Sequence, residues 1–312
     1  MKAAILETRG RDGLFIRDVP VPERKPGEVL LRVHAAGLNR VDLYMRDNGA
    51  GITHTLPQTL GVECAGTVVE ADADSGLRAG QKAAVYSNAF CGTCRYCLAG
   101  DQPLCLRAHI MGEHRNGAFA DYVVMPARCV LPLPDNADLV GAGALLAAYL
   151  TAWRMLFGKR TLRPGETVLI VGIGGGVAVA CLQLARHAGA RVLELTGGEG
   201  VDMVIDSVGQ SSWDDSIRSL RRGGRIVTCG ATTGSHPSAD LRRLFIRQLE
   251  VYGSTGGSME ECRQLLALFA SGALKPVIDK RYTLDELPAA FDRLEHGEQF
   301  GKIVVTMGEV PA

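Results

Sequence analysis

The sequence predicts an α/β chain of two domains, a parallel sheet inserted into a β-rich remainder, and three observations carry that reading. The first is the run Val168-Leu169-Ile170-Val171-Gly172-Ile173-Gly174-Gly175-Gly176-Val177-Ala178, which enters a glycine cluster as a strand and leaves it as the helix former Val179-Ala180-Cys181-Leu182-Gln183-Leu184-Ala185. The second is a series of short apolar segments at the start of the chain, cut by Pro20, Pro22 and Pro26, with another at its end, Phe300 to Val305. The third is length: 312 residues suffice for two cores.

The glycine run has the order strand, tight turn, helix. Glycine lets the backbone turn sharply and approach a ligand closely, and a helix N-terminus presents N–H groups to a phosphate. The best frame is Gly172-x-x-Gly175-x-x-Ala178, in which the small Ala178 permits close helix–strand packing. This marks a Rossmann-type dinucleotide site, with Gly172, Gly174, Gly175, Gly176 and Val177 against the cofactor.

Composition removes several function classes. Lys+Arg and Asp+Glu both number 34, so no net field draws nucleic acid or an anionic membrane. No apolar run reaches transmembrane length. The start of the chain meets Lys2 and Glu7 too soon for a secretory leader. The nine cysteines include a tight group of metal spacing, which suits a reducing cytoplasm better than a disulfide scaffold.

In chain order, Ala3 to Leu6, Leu14 to Val19 and Glu28 to Ala36 read as strands, and Gly37 to Arg46 turns into a short helix. Leu60 to Glu70 and Ala83 to Tyr86 read as further strands. Cys91, Cys94 and Cys97 then stand at two-residue gaps, with Cys105 seven residues on. Four thiolates can close a tetrahedral shell around Zn²⁺ and leave no open position, so such a metal is structural. Cys64, Cys129, Cys181, Cys229 and Cys262 lie in apolar runs and read as small core residues. The histidines show no ligand spacing. Asp138 to Phe157 reads as an apolar helix pair, Ser216 to Arg222 as the end of an Arg-rich helix, and Gly223 to Gly230 and Leu249 to Ser254 as strands. Met259 to Ser271 and Leu284 to Glu295 read as amphipathic helices.

Taken together, the opening strands, Gly61-x-Glu63-x-Ala65-Gly66, the segment Gly117 to Val124, the glycine turn and the closing Gly301-Lys302-Ile303-Val304-Val305 resemble the medium-chain dehydrogenase/reductase superfamily nearly end to end. The resemblance implies a GroES-like, β-rich catalytic domain over 1–130 and 272–312, with its zinc lobe at 91–105, and a Rossmann-type domain over 131–271. Zinc alcohol dehydrogenases of this superfamily bind a catalytic zinc through an early Cys, the His of a Gly-His-Glu run, and a later Cys or Asp. The aligned positions here are Asn39, Val62 and Ala147, none a good Zn²⁺ ligand. The segment Asn39-x-x-Asp42-x-Tyr44-x-Arg46 resembles instead the quinone oxidoreductase branch. On that resemblance Asn39 holds the carboxamide or a substrate oxygen, and Tyr44 donates a hydrogen bond or a proton. Asp42 caps the short helix and Glu63 braces the cleft. Thr151, Gly230, Ala231, Thr232, Phe300 and Lys302 are the further cofactor contacts it implies, and the strand at Leu249 to Ser254 implies a homodimer.

One stretch breaks the pattern. Ala190 to Leu195 reads as a second parallel strand and Val201 to Asp206 as another, with only Thr196 to Gly200 between. Five residues cannot join neighbouring parallel strands. The family places roughly thirty more residues after Leu193. Either the sheet is pared down, or a segment is absent from the sequence. Glu194 stands where a ribose-binding acid would sit, so NAD against NADP is open, with NADPH favoured by the quinone reductase resemblance.

The expectation is therefore an NAD(P)H-dependent reductase of quinones or activated alkenes with one structural Zn²⁺ and a small-molecule substrate. Two alternatives stand beside it: a zinc-dependent alcohol dehydrogenase, and a non-enzymatic binding protein that has lost its cofactor.

Overall fold

The computed structural model describes residues 1–48, 55–192 and 196–310. Glu194 and Leu195 therefore lie outside the described residues. The chain divides into two units, Met1–Ala148 with Ser258–Ala312, and Tyr149–Gly257.

In the first unit the long strand Glu28–Leu38 is buried along nearly its whole length, so it lies inside a sheet rather than at its edge. It pairs antiparallel with Cys64–Glu70 and, on its other side, with Tyr122–Pro126 and Lys302–Thr306. The sheet order is Val130–Pro132, Lys82–Val85, Cys64–Glu70, Glu28–Leu38, Lys302–Thr306, Ile278–Thr283. The last strand of the chain thus meets the third, which brings Lys302 beside Leu38 and Asn39. The helix Leu139–Gly143, capped by Asp138 Oδ1 on the Val140 N–H at 3.0 Å, packs Val140 and Ala144 onto Ala35 and Val304.

That packing explains a difference from the expected domain limits. The division falls at 148/149 and 257/258, not at 130/131 and 271/272. Residues 131–148 bury their apolar side chains against the strand-rich sheet, and the helix Met259–Ala270 is tied to the same unit, where the Met259 N–H donates to Gln102 Oε1 at 3.1 Å.

The second unit holds a five-stranded parallel sheet in the order Arg191–Val192, Thr167–Ile170, Val201–Asp206, Leu220–Thr228, Glu250–Gly253. Among the described residues this is the doubly wound order without a strand beyond the second one. Arg191–Val192 and Val201–Asp206 are not neighbours but flank Thr167–Ile170 on opposite sides, and both Val192 and Met203 lie level with Val168. Joining them spans two strand spacings, about 10 Å. One local expectation is corrected. Arg221 and Arg222 do not end a helix, which stops at Ser219, but open the strand Leu220–Thr228. The reason is local: Val201 pairs with Leu220, the register shifts there, and Arg221 Nε is held by Asp202 Oδ1 at 2.5 Å.

Candidate functional site

The cysteine lobe is the simplest site. A two-stranded ribbon, Asn88–Ala89 with His109–Ile110, brackets it, and the turn Arg95–Leu98 carries Cys97 inward. The Sγ atoms of Cys91, Cys94, Cys97 and Cys105 all lie within 4.8 Å of one another. Cys94–Cys97 is 3.5 Å, Cys91–Cys97 3.9 Å and Cys94–Cys105 4.0 Å. A tetrahedral zinc with Zn–S of about 2.3 Å needs S···S separations of about 3.8 Å. The donor set therefore fits the ion. Backbone N–H groups of Thr93 and Cys94 donate to Cys91 Sγ at 3.5 and 3.3 Å and hold that thiol well below its ordinary value, at about 5. Among the described residues this is the one group of three or more His, Cys, Asp and Glu side chains close enough to share a metal.

The second constellation gathers on the strand Glu28–Leu38 and the helix that follows it. Asn39 is the N-cap of the helix Arg40–Asp47, and its own N–H donates to Asp42 Oδ2 at 2.8 Å, the capping interaction expected of Asp42. Glu63 arrives from the turn before Cys64–Glu70 and is buried. Its Oε1 accepts from Asn39 Nδ2 at 2.9 Å and pairs with Lys302 Nζ at 2.5 Å, and its Oε2 accepts from the Ala147 N–H at 2.7 Å. Lys302 Nζ donates also to Asn39 Oδ1 at 2.5 Å and to the Leu38 carbonyl at 3.1 Å. Asn39 Nδ2 donates its other hydrogen to the Gly37 carbonyl at 3.0 Å. A side chain at Gly37 would overlap the Glu63 carboxylate and approach the Gly143 carbonyl to 3.0 Å, so glycine there is a condition of the arrangement.

Two groups in this region are unsatisfied. Tyr44 Oη and Asp42 Oδ1 are buried without a hydrogen-bond partner among the described residues. Burial pushes the Tyr44 phenol above its ordinary value, and pushes the fully buried Asp42 carboxyl up to about 7, against the opposing pull of the Asn39 N–H and Lys302.

A catalytic zinc does not fit these donors. Val62 is a buried aliphatic residue, Ala147 offers a backbone N–H already given to Glu63, and the Asn39 amide is engaged by Lys302, Glu63 and Gly37. The sequence signalled the absence of ligands but not what fills the place. The role of Lys302 as Glu63's partner was invisible, because the two are brought together only by the pairing of the last strand with Glu28–Leu38. Phe300 stands apart from this cluster, half exposed, its N–H on Asp279 Oδ1 at 3.2 Å.

In the parallel-sheet unit, Thr167–Ile170 leads through Gly172, at φ +77°, to the helix Gly176–His187. The N-cap is Gly175, with no side-chain cap, so the first-turn N–H groups of Gly176, Val177 and Ala178 are left for a ligand. Ala178 is buried beneath them, as close helix–sheet packing requires. Gly174 lies in the turn itself. Beside it, Asp206 at the carboxyl end of its strand is fully buried and accepts from the N–H groups of Val208 and Gly209 and from Ser212 and Ser216 Oγ. Thr232 and Thr233 Oγ1 both donate to the Val208 carbonyl, which ties the Gly230-Ala231-Thr232 loop to the Asp206 loop. Sequence reasoning passed over Asp206, whose four acceptor bonds shape this rim. Thr151 lies on the helix Ala148–Trp153 in the same unit.

Comparison with known proteins agrees with this architecture. Residues 25–135 match the alcohol dehydrogenase GroES-like domain family and residues 182–305 the zinc-binding dehydrogenase family. An alcohol dehydrogenase of Geobacillus stearothermophilus is 29% identical over 99% of this chain and 100% of its own. That alignment runs over 347 positions against a chain of 312 residues, so the relative carries segments this chain lacks. An acryloyl-coenzyme A reductase of Metallosphaera sedula is 28% identical over 98% of this chain and 100% of its own. The solved structure of a thermostable alcohol dehydrogenase from Pyrobaculum aerophilum superposes with a TM-score of 0.91 at 34% identity, covering 98% of this chain and 99% of that one. With the fold, the glycine turn and the thiol lobe in agreement, the chain belongs to the medium-chain dehydrogenase/reductase superfamily, the NAD(P)-dependent oxidoreductases that join a GroES-like domain to a Rossmann domain.

Proposed function

We propose that the protein is an NAD(P)H-dependent reductase of quinones or activated alkenes, the latter α,β-unsaturated carbonyl compounds, acting without a catalytic metal. The observation that carries the reading is the donor set at the place of the superfamily's catalytic zinc: an amide already engaged, an aliphatic side chain and a backbone N–H. Without a Lewis acid to polarise an ordinary carbonyl, the accessible acceptors are those already electron-poor. The acryloyl-coenzyme A reductase relative gives the alkene reading a precedent.

The nicotinamide cofactor, when bound, supplies the hydride. The chain binds its pyrophosphate at Gly172 to Val177 and shapes the adjoining rim with Asp206 and Gly230 to Thr232. Tyr44 is the acid: its phenol oxygen is buried, protonated and without a partner among the described residues, ready to donate to the substrate oxygen on which negative charge grows. The cysteine lobe holds zinc as a structural ion. The exposed edge strand Glu250–Gly253, with Val251, and the exposed Leu241, Phe245 and Ile246 on the preceding helix support a homodimer paired along that edge. Reduced thiols at the lobe suit the cytoplasm, and among the described residues no helix is long and apolar enough to cross a membrane.

The alcohol dehydrogenase names among the relatives favour a second reading, oxidation of an alcohol at an open zinc. Fluorescence titration with NADPH and with NADH, followed by turnover of quinones, enones and alcohols, separates the two. The reductase reading expects enone or quinone turnover, with Tyr44→Phe lowering kcat about a hundredfold and leaving cofactor affinity unchanged. Alcohol oxidation that needs a second metal per chain would replace it.

A further inference from the structure

We propose that the parallel-sheet unit holds its cofactor by the pyrophosphate and the nicotinamide mononucleotide half, and that the adenosine half contributes little to affinity. NADH and NADPH are then taken alike, and reduced nicotinamide mononucleotide binds and serves in their place. This deepens the reductase reading and rests on it for turnover, while binding alone decides the mode of recognition.

A doubly wound sheet is built from two mononucleotide-binding halves that meet beside its first strand. In this chain the halves are unequal. One half has Val201–Asp206, Leu220–Thr228 and Glu250–Gly253, paired in parallel. Its carboxyl-end loops are locked to the glycine turn. A side chain at Gly172 would meet Val208 Cγ2 at 3.2 Å, so Val208 packs against the turn. The Val208 carbonyl accepts from the Thr233 N–H at 2.9 Å and from Thr232 and Thr233 Oγ1 at 3.2 and 2.9 Å. The Gln210 N–H donates to the Gly234 carbonyl at 3.0 Å. A side chain at Gly209 would come within 2.8 Å of Ala231 Cα and of the Gly234 carbonyl, so the two loops meet at backbone distance. Turn and rim form one preformed surface, which lowers the ordering cost of a ligand laid on it.

The other half holds, among the described residues, only Thr167–Ile170 and Arg191–Val192. Arg191–Val192 pairs no further than Val168, two residues short of the end of Thr167–Ile170. Residues 193–200 are all that separate it from Val201. Of these, 196–200 are tied to the amino end of the next strands: the Gly200 N–H donates to Thr196 Oγ1 at 3.0 Å, and a side chain at Gly200 would stand 2.6 Å from the Ser219 carbonyl. The ligand crevice of such a sheet lies at the opposite, carboxyl end. Only residues 193–195 are left for the segment from which doubly wound domains hold the adenosine ribose and tell a 2′-hydroxyl from a 2′-phosphate. Among the described residues no strand covers the outer edge of Arg191–Val192, so an adenosine over it lacks a wall on that side.

The test uses the full-length protein with its structural metal. Fluorescence titration is expected to give Kd values for NADPH and NADH within about fivefold of each other, and for reduced nicotinamide mononucleotide within about tenfold of both. AMP and adenosine 2′,5′-bisphosphate, at about 1 mM, displace neither dinucleotide. The mononucleotide supports enone reduction: one hydride reaches the alkene, one proton follows, and oxidised nicotinamide mononucleotide leaves. Four results would each overturn the proposal: a preference beyond about fivefold for one dinucleotide, a mononucleotide more than about tenfold weaker, displacement by either adenosine phosphate, or enone turnover with NADPH and none with the mononucleotide. Binding of none of the three overturns it together with the reductase reading. Binding as expected, without turnover of any quinone or enone, overturns the reductase reading alone.

Discussion

The cysteine lobe and the Asn39–Glu63–Lys302 cluster belong to the same strand-rich unit, yet they gather different chemistry. In the lobe four sulfurs lie within 4.8 Å of one another, with the Arg107 guanidinium beside the Cys91 thiol. In the cluster one carboxylate and one amide close around an ammonium. A shell of thiols at that spacing is complete only with an ion. In the cluster the carboxylate, the amide and the ammonium partner one another. The difference also lies in how each is built: the lobe comes from one local stretch, 91–105, whereas the cluster joins residues from three distant parts of the chain.

The largest expected effect follows from the lobe's dependence on its ion. Stripping the metal with a strong chelator, or Cys94→Ser, leaves close-packed thiols without their bridge, and the turn 91–105 has little apolar core to hold it. A loss of several kcal/mol is expected, on the order of 10 °C in Tm by calorimetry. Chelation of the Cys94→Ser protein should then add little. An equal Tm response to chelator in both would show that the lobe is not where the stabilising metal resides.

The cluster should not respond to chelator, but it should respond to volume. Gly37→Ala sets a methyl into the space of the Glu63 carboxylate, with the Gly143 carbonyl closing the other side. Glu63 must leave Asn39, Lys302 and Ala147, or the strand must shift. A cost of about 3 kcal/mol in denaturant unfolding is expected, with metal content unchanged. A neutral Gly37→Ala would mean that the Glu63 carboxylate has room to move, and the contrast with the lobe would lose its sharpness.

The same contrast governs how much was legible in the sequence. The lobe was readable because its chemistry is local: Cys91, Cys94, Cys97 and Cys105 are in register by spacing alone. The glycine turn was readable for the same reason, and so was the capping role of Asp42. What was not readable depends on strand order. Lys302 donates to the Leu38 carbonyl and Asn39 Oδ1 and pairs with Glu63, because Lys302–Thr306 pairs with the third strand of the chain. The order of the parallel sheet was not readable either: Arg191–Val192 and Val201–Asp206 flank Thr167–Ile170 on opposite sides. Asp206, ending an apolar strand, gave no sign that two backbone N–H groups and two serines would converge on it.

The smallest effect concerns the cluster's one carboxylate without a cation in contact. Asp42 is fully buried and accepts from the Asn39 N–H on one oxygen, and its other oxygen has no hydrogen-bond partner among the described residues. Burial raises its folded value to about 7, against an ordinary aspartate near 4. The folded state therefore binds a proton through this interval that the unfolded state has released. By linkage, stability falls as pH rises from about 4 to about 7, and the cost is fully present above that window. Asp42→Asn keeps an oxygen for the helix cap and removes the ionisation. The variant should match or exceed wild type at pH 8, and the wild-type decline between pH 5 and 8, about 2 kcal/mol, should be absent from it. Denaturant unfolding at the two pH values reads this directly. A parallel decline in both proteins would assign the pH dependence to other groups, and an Asp42 ionised throughout would mean that the Lys302 ammonium serves two carboxylates rather than one.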